Sequence, residues 1–400
     1  MQRNQWKPRS EIESIQEEKL LSLISESIAT VPHYRETLAP VRSLDDLSTL
    51  PIIGKGDLRN PGRFISSKYK KESLLRFRTS GSTGLALETY STPQERAYRL
   101  ALYRLRFIEA GFGPFDLMAR VVYKPTDTVF SGKFGIYRTK FISMFQDDEK
   151  ILKALCRLKP HIIRSYPGTL AILAKANLEL GLRIPKAFSS AAVLSDNARK
   201  LIRESFGADV RNIYGAVETG PIAFECEKGS LHLHSDSILA EVVDESGRRL
   251  PPGKRGSLVL TPLWLRAMPL IRYNIGDQIS MGTTCPCGRG SQVIKSVGGR
   301  IDPLLVMKSG KLATSVSFDI YVRTFPGIVA FQALQEEPGK CTLSILPGEG
   351  FDEASLPKLK EKLESTFNEP FNIEFELVDS IKPEASGKIP SVKSRLRNEF

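Results

Sequence analysis

The stretch Phe77-Arg78-Thr79-Ser80-Gly81-Ser82-Thr83-Gly84 decides how the rest of the chain is interpreted. Between Thr79 and Gly84, four hydroxyl side chains and two glycines occupy six residues. Glycines let the backbone bend until several N–H groups point at one spot, and hydroxyls add donors with little bulk. Such a loop is typical of phosphate binding, although a flexible Ser/Gly turn has the same composition. Leu85 follows it, which excludes the Gly-Lys-Ser/Thr phosphate loop of nucleotide hydrolases.

Length and composition bound the class of protein. The chain has 400 residues, of which 41% are hydrophobic and 26% are charged, enough for two or three domains. No apolar run approaches the roughly 20 residues that span a bilayer, and the first residues lack the apolar core of a signal peptide. We therefore expect a cytoplasmic protein without membrane contact. The oligomeric state is left open, with a dimer as one alternative.

The net charge of +12 permits an acidic partner such as a nucleotide, an acidic carrier protein or a nucleic acid. The basic residues are spread along the chain and form no basic tail, which favours a solvated basic surface. We expect no nucleic-acid partner. A zinc-stabilised basic nucleic-acid-binding protein remains a rival hypothesis, and it predicts steeply salt-dependent binding.

The rhythm of the chain predicts an α/β fold. Ser10 and Glu13 have the spacing of a capping box at the start of an N-terminal helix. Between residues 147 and 213, helices alternate with strands, which is typical of a parallel sheet covered by helices. The last of these strands is predicted at Asp209–Ile213, and sites in such sheets lie at the carboxyl ends of strands.

The later part of the chain changes character. Strands with turn-rich connections predict an antiparallel β subdomain at about 222–297. The last hundred residues predict a small α+β unit, with a basic, mobile segment from residue 382 to the end. The predicted domains are therefore a large one at 1–300 and a small C-terminal one at 301–400.

Four further motifs follow the hydroxyl-rich loop in order. Tyr214-Gly215-Ala216-Val217-Glu218 combines an aromatic ring for stacking with a carboxylate for a metal ion. The second motif is Leu270-Ile271-Arg272-Tyr273-Asn274-Ile275-Gly276-Asp277, in which the acidic side chain follows a glycine turn and suits the two hydroxyls of a ribose. Gly299-Arg300-Ile301-Asp302 lies where the composition shifts, and Lys388 lies in a Gly-flanked turn near the end. Taken singly, each has an ordinary structural explanation, such as a strand-end turn or a solvated lysine.

Together and in this order, the motifs resemble the adenylate-forming superfamily, which includes acyl-CoA synthetases and adenylation domains. The resemblance covers essentially the whole chain and is greatest for the phenylacetate–CoA ligase-like branch. Three further segments resemble that branch: Val31-Pro32-His33-Tyr34-Arg35, Leu50-Pro51-Ile52-Ile53-Gly54-Lys55 and Pro160-His161-Ile162-Ile163. The fold implied is a large domain with parallel α/β sheets and a β subdomain, followed by a small mobile α+β lid.

The resemblance implies nucleotide-binding roles. Tyr214 and Gly215 would contact adenine, Asp277 would hold the ribose hydroxyls, and Arg300 would help to bind the nucleotide. The ATP phosphates would be held by the residues of the loop, which are Thr79, Ser80, Gly81, Ser82, Thr83 and Gly84.

The resemblance also implies catalytic roles. Glu218 would bind magnesium, and Asp302 would be the hinge for rotation of the small domain. Lys388 would bridge the substrate carboxylate and the α-phosphate, where a cation lowers the repulsion between two anions. The implied enzyme is a ligase that uses ATP and Mg²⁺ to convert a carboxylic acid, aryl or arylacetic by analogy, into an acyl-adenylate. A thiol, either coenzyme A or the phosphopantetheine of an acidic acyl carrier protein, would then accept the acyl group.

Departures from the family pattern leave an alternative open. Leu85 stands where a lysine is common, and the segment after Asp302 lacks the second acid that is often found there. An ATP-independent acyltransferase on the same fold is therefore a second hypothesis. The acid, the acceptor and the pathway are not determined by the sequence.

A zinc site is predicted from cysteine and histidine spacing. Cys226 and His232 precede Cys285 and Cys287, and three thiols with one imidazole suit tetrahedral zinc. Four protein ligands would make the site closed and structural. His234 is an alternative ligand, because alternation in a strand sends it to the same face as His232. Unrelated reduced cysteines are the competing interpretation.

Overall fold

The computed structural model describes residues 3–78, 87–122, 135–298, 304–315, 318, 321–322, 325–348, 350–367, 369–381 and 391–396. The chain divides into two compact units. Unit 1 comprises residues 1–79, 87–110 and 213–299, and unit 2 comprises residues 80–86, 111–212 and 300–400. The predicted domain division at residue 300 stays a prediction.

Helices and strands alternate along much of the described chain. The α-helices are α1 (Arg9–Thr30), α2 (Pro32–Thr37), α3 (Pro93–Glu109), α4 (Asp148–Leu158), α5 (Pro167–Leu180), α6 (Asp196–Phe206) and α7 (Leu356–Phe367). Short 3₁₀ helices are Asn4–Trp6, Asp45–Thr49, Asp57–Arg59, Pro61–Phe64, Lys71–Ser73 and Glu353–Ser355.

The strands are named here in chain order. They are β1 (Leu75–Arg78), β2 (Glu88–Ser91), β3 (Leu117–Val122), β4 (Arg138–Ser143), β5 (Ile162–Ser165), β6 (Lys186–Ser190), β7 (Asp209–Ala216), β8 (Gly220–Glu225), β9 (Leu231–Leu233), β10 (Ile238–Val243), β11 (Arg255–Pro262), β12 (Tyr273–Met281), β13 (Val293–Gly298), β14 (Leu304–Val306), β15 (Leu312–Thr314), β16 (Ile328–Glu337), β17 (Lys340–Pro347), β18 (Asn372–Leu377) and β19 (Val392–Ser394).

Unit 1 is built on antiparallel pairing. Strand β8 pairs with the end of β7 and with β9, and β10, β11, β12 and β13 follow as antiparallel neighbours, with β13 returning to β9. The apolar face of α1, with Leu20, Leu23 and Ile24, is buried in one core with Leu258 and Leu260 of β11. The antiparallel β arrangement expected in this part of the chain is confirmed.

Unit 2 contains a parallel sheet in which β6, β5, β3 and β4 are successive neighbours. Helices α4, α5 and α6 contribute the apolar residues of its core, including Leu155, Leu170 and Ile202. In the C-terminal part, β18, β17, β16 and β19 form a four-stranded sheet, and α7 shares their core. The α/β fold class with a parallel sheet, an antiparallel β region and a small C-terminal α+β part is confirmed.

Three local predictions need correction. Helix α1 begins at Arg9 with Pro8 at the N-cap, where no side chain caps it, and Glu13 forms an ion pair with Arg9 instead of a capping box with Ser10. Strand β7 continues past Ile213 to Ala216, because β8 pairs with its end. The C-terminal segment expected to be mobile includes β19, which pairs in parallel with β16.

Candidate functional site

Several predicted site residues lie outside the described residues. They are the phosphate-loop residues Thr79, Ser80, Gly81, Ser82, Thr83 and Gly84, the nucleotide residue Arg300, the hinge residue Asp302 and the catalytic residue Lys388. Their roles stay predictions. The described part of the site belongs to unit 1 and contains Tyr214, Gly215, Glu218 and Asp277, together with the four predicted zinc ligands.

Gly215 lies where β7 and β8 approach each other closely. The register of the two strands shifts between Tyr214 and Gly215. A Cβ atom at Gly215 would lie 2.8 Å from the carbonyl oxygen of Gly220 and 3.1 Å from Cα of Pro221. These distances are too short for any larger residue without backbone movement, so the neighbouring strand itself requires glycine here.

Tyr214 and Asp277 form a direct hydrogen bond across unit 1. The phenol of Tyr214 donates to Oδ2 of Asp277 at 2.5 Å. Burial, and then the negative charge of Asp277, raises the pKa of Tyr214 well above its usual value, so the hydroxyl remains a donor near neutral pH. The residues predicted to contact adenine and ribose are thus brought together, and the tyrosine holds the carboxylate in one orientation.

A second tyrosine contacts the predicted magnesium ligand. The hydroxyl of Tyr273 donates to Oε1 of Glu218 at 3.1 Å. Tyr273 is completely buried and Glu218 is 8% exposed. Burial, and then the charge of Glu218, raises the pKa of Tyr273, which keeps its proton on the phenol. Sequence reasoning did not single out Tyr273.

Arg272 belongs to the second motif, and sequence reasoning gave it no role of its own. Its guanidinium makes a two-pronged ion pair with Glu241, with both N···O distances 3.0 Å, and both side chains are almost fully buried. The same guanidinium donates to the carbonyls of Ser48 and Leu50. Because Arg272 also adopts a left-handed backbone conformation with φ of 50°, these bonds hold a strained residue next to Tyr273.

The predicted zinc ligands form a compact cluster. Cys226 Sγ lies 3.7 Å from Cys285 Sγ, and Cys287 Sγ lies 3.3 Å from His232 Nε2. The four ligand atoms all lie within 4.8 Å of one another. Zn–S and Zn–N bonds of about 2.0–2.3 Å give tetrahedral edges of about 3.5–3.8 Å, so the residues fit this ion.

His232, not His234, belongs to the cluster. The Nδ1 atom of His232 lies 3.1 Å from Ser291 Oγ, which leaves Nε2 on the side of the thiols. Burial, followed by the charge of Arg289, lowers the pKa of His232 to about 4, so the ring is neutral and able to ligate a metal. His234 follows the end of β9 and packs against Phe224 with 5.2 Å between ring centroids. Of the two histidines that the sequence left open, His232 is therefore the one that lies with the thiols, and its role as a zinc ligand stays a prediction.

The N-terminal segment packs on the loop that carries two of these cysteines. Gly290 donates its N–H to the carbonyl of Gln5 at 2.9 Å, and Arg289 donates to the Gln5 side chain at 2.9 Å. The Arg289 guanidinium also lies 4.3 Å from the centroid of the Trp6 ring. The cluster and the beginning of the chain thus form one packed region of unit 1.

The two remaining cysteines do not belong to the cluster. Cys156 and Cys341 are free and lie outside the cluster, in α4 and at the start of β17. In the described ranges, no helix has the length and apolarity required to cross a membrane.

Comparisons with known proteins show what the chain is similar to. A protein-family model described as "CapK C-terminal domain" matches residues 305–395. The chain is 29% identical over 327 residues to "Phenylacetate-coenzyme A ligase" of Thermus thermophilus, covering 75% of this chain and 73% of the relative. It is 24% identical to "Protein CapK" of Staphylococcus aureus, covering 86% of this chain and 79% of the relative.

Among solved structures, the chain is similar to 2-hydroxyisobutyryl-CoA ligase in complex with 2-HIB-AMP and CoA. The TM-score is 0.69 at 20% identity, and the match covers 98% of this chain and 91% of the other, which supports the fold. Phenylacetate–CoA ligases of Aromatoleum evansii and Pseudomonas putida are each 26% identical to the chain, over 76% and 73% of its length. The resemblance to the adenylate-forming superfamily, and within it to the phenylacetate–CoA ligase-like branch, is therefore confirmed.

Proposed function

We propose that the chain is an ATP-dependent ligase that activates a carboxylic acid and transfers the acyl group to a thiol. A carboxylate oxygen of the acid attacks the α-phosphorus of ATP, the bond to the leaving pyrophosphate breaks, and an acyl-adenylate forms. The thiol sulfur then attacks the acyl carbon, AMP leaves, and the thiol proton passes to solvent. Coenzyme A is the favoured acceptor, because the similar ligases are named for it.

The observation that carries this proposal is the pairing of Tyr214 with Asp277 and of Tyr273 with Glu218 in one unit. Asp277 offers a carboxylate to the ribose hydroxyls beside the ring of Tyr214. Glu218 offers a carboxylate oxygen of the kind that magnesium prefers. When bound, magnesium neutralises and orients the phosphates.

The aryl preference is the more specific part of the proposal. Its support is the similarity to phenylacetate–CoA ligases at 25–29% identity. A small-molecule aryl or arylacetic acid is therefore the first substrate class to test. The net charge of +12 would also suit an acidic acyl carrier protein as an alternative acceptor.

The test is pyrophosphate release with ATP and Mg²⁺ across a panel of carboxylic acids that includes benzoic and phenylacetic acids. We expect release that depends on one class of acid, followed by thioester formation when coenzyme A is added. Release with an aliphatic acid alone would retain the ligase and reject the aryl preference. If no acid of the panel gives pyrophosphate release and ATP does not bind, the ATP-independent acyltransferase is favoured.

We also propose that Cys226, His232, Cys285 and Cys287 hold one structural zinc ion. With four protein ligands and no position for substrate, this ion would act on folding and not on chemistry. Burial raises the pKa of the Cys226 thiol to about 11, so zinc binding must displace a proton from it. The packing of Gln5 and Trp6 on this loop extends the effect of the ion to the N-terminal segment.

Removal of the zinc ligands provides the test. The purified chain should contain about one zinc per molecule, measured by elemental analysis. Cys285→Ser should lose the metal and unfold at lower urea concentration, because metal binding to a closed site contributes directly to folding. Cys156→Ser, a matched change outside the cluster, should retain both metal and stability. A metal-free wild type with unchanged stability after chelation would reject the site.

A further inference from the structure

The two candidate nucleotide motifs are linked by reciprocal hydrogen bonds. Tyr214 of the first motif donates to Asp277 of the second, and Tyr273 of the second donates to Glu218 of the first. We call these two contacts the crossed tyrosine–carboxylate pairs. Because each motif supplies a donor for the carboxylate of the other, reorientation of either carboxylate breaks a hydrogen bond to the opposite motif.

Tyr273 is itself held firmly. It lies in β12 and is completely buried. On either side of it, Ile53 donates its N–H to the carbonyl of Arg272 at 3.1 Å and accepts from the N–H of Asn274 at 2.8 Å. Arg272, the residue immediately before Tyr273, is held in place by its ion pair with Glu241. A phenol on so constrained a backbone can define the position of its hydrogen-bond acceptor.

Glu218 depends on such a partner. It follows β7 in the connection to β8, where the carbonyl of the preceding residue, Val217, accepts from Arg99 at 2.8 Å. Within the described residues, the hydroxyl of Tyr273 is the hydrogen-bond partner of the Glu218 carboxylate, and the contact uses Oε1. Hydrogen bonds from outside the coordination shell orient carboxylates for metal ions, and their loss weakens metal affinity.

We propose that Tyr273 is a positioning residue that holds the Glu218 carboxylate ready for the magnesium ion of MgATP. The inference rests on the proposed function and assigns Tyr273 a role in the metal requirement of that reaction. Tyr273 does not touch the metal; it fixes the orientation of the group that does. Its hydroxyl donates to Oε1 of Glu218 at 3.1 Å, and this contact of a completely buried side chain carries the inference.

Tyr273→Phe removes the hydroxyl and keeps the ring. Pyrophosphate release should be measured as a function of Mg²⁺ at fixed, saturating ATP, and ATP binding should be measured by calorimetry at high and low Mg²⁺. We expect the apparent Mg²⁺ constant to rise about tenfold or more, the range seen when an outer partner of a metal ligand is removed. At saturating Mg²⁺, much of the activity should return.

Tyr34→Phe is the matched control. Tyr34 is equally buried, and its hydroxyl donates to the carbonyl of Pro269 at 2.9 Å and accepts from the N–H of Ile271 at 3.0 Å. Its loss should lower stability without changing the Mg²⁺ requirement, because no carboxylate is involved. In a Glu218→Gln background, Tyr273→Phe should add little to the Mg²⁺ requirement, since two residues that act through one another are not additive.

The outcomes distinguish failure of the positioning role of Tyr273 from failure of the proposed ligase activity. If the wild type binds MgATP and releases pyrophosphate but Tyr273→Phe has an unchanged Mg²⁺ constant, the positioning role is rejected and the ligase remains. If Tyr273→Phe weakens ATP binding equally at all Mg²⁺ concentrations, the hydroxyl is only structural and the inference is rejected. If the wild type does not bind MgATP at all, both proposals are rejected together.

Discussion

Replacing Arg272 with methionine is expected to destabilise unit 1 by about 3–5 kcal/mol, the cost of leaving a buried charge without its partner. The side chain of the remaining Glu241 is 7% exposed, and its carboxylate would lose both guanidinium contacts. The carbonyls of Ser48 and Leu50 would also lose their donor. Methionine approximates the volume of the side chain, so the loss would reflect charge and hydrogen bonding more than a cavity.

Tryptophan fluorescence during urea unfolding measures the stability of unit 1. Both tryptophans of the chain, Trp6 and Trp264, lie in unit 1, so their emission follows that unit. Arg248→Met is the control, because Arg248 pairs with Asp244 at 3.1 Å but its side chain is 82% exposed, and such surface pairs contribute little. An unfolding curve of Arg272→Met that coincides with that of Arg248→Met would show that the buried pair does not stabilise unit 1.

Arg272→Met should also affect the candidate magnesium site. Arg272 precedes Tyr273 directly, and its carbonyl accepts the N–H of Ile53. We expect Arg272→Met to raise the Mg²⁺ requirement in the same direction as Tyr273→Phe, because the backbone that carries Tyr273 loses its anchor. The double variant Arg272→Met with Glu241→Leu should recover part of the stability, since removing both charges leaves no unpaired ion.

Lys388→Ala is expected to slow adenylate formation by about two to three orders of magnitude, the usual effect of removing one group that stabilises developing charge. The reason is electrostatic: the acid carboxylate and the α-phosphate are both anions, and a cation between them lowers the barrier to their approach. The residue lies outside the described residues, so this expectation rests on the family resemblance.

Two half-reactions distinguish this role from a general loss of the enzyme. Exchange of labelled pyrophosphate into ATP reports adenylate formation, whereas thioester formation from a supplied acyl-adenylate bypasses that step. We expect Lys388→Ala to lose the first activity and to retain much more of the second. Lys382→Ala, a change of the same residue type in the same segment, is the control. Wild-type exchange in Lys388→Ala would remove the lysine from the mechanism.

The elements between residues 147 and 213 could be predicted because their determinants are local. Ser195 caps α6 by accepting from the N–H of Ala198, as its position before the helix suggests. Gly181 and Gly207 end α5 and α6 with φ of 68° and 65°, in the left-handed region that favours glycine. Apolar periodicity and these end residues together define each helix.

The N-terminal capping box failed for an equally local reason. Pro8 has its φ fixed near the observed −52° and takes the N-cap position, so the helix starts before Ser10. Glu13 then lies one turn after Arg9, at a spacing that favours the ion pair seen at 2.8 Å. The capping-box spacing of Ser10 and Glu13 is therefore not used, because Pro8 sets the start of α1 at Arg9.

The crossed tyrosine–carboxylate pairs could not be predicted, because their partners are 63 and 55 residues apart. The sequence identified Tyr214, Glu218 and Asp277 as separate candidates but contained nothing that assigns one to another. Strand pairing across unit 1 makes that assignment. The choice of His232 over His234 is similar, since it depends on β9 ending at Leu233 and on the position of Ser291.

The discontinuous make-up of unit 1 has a consequence for synthesis on the ribosome. Helix α1 shares its core with β10 and β11, which are made more than 200 residues later. At about 5–20 residues per second, the apolar face of α1 must wait roughly 10–40 s for those strands. During this interval the nascent chain exposes surface that a chaperone can cover. A chain that stops before residue 277 lacks the Asp277 partner of Tyr214 and cannot complete the strands of unit 1.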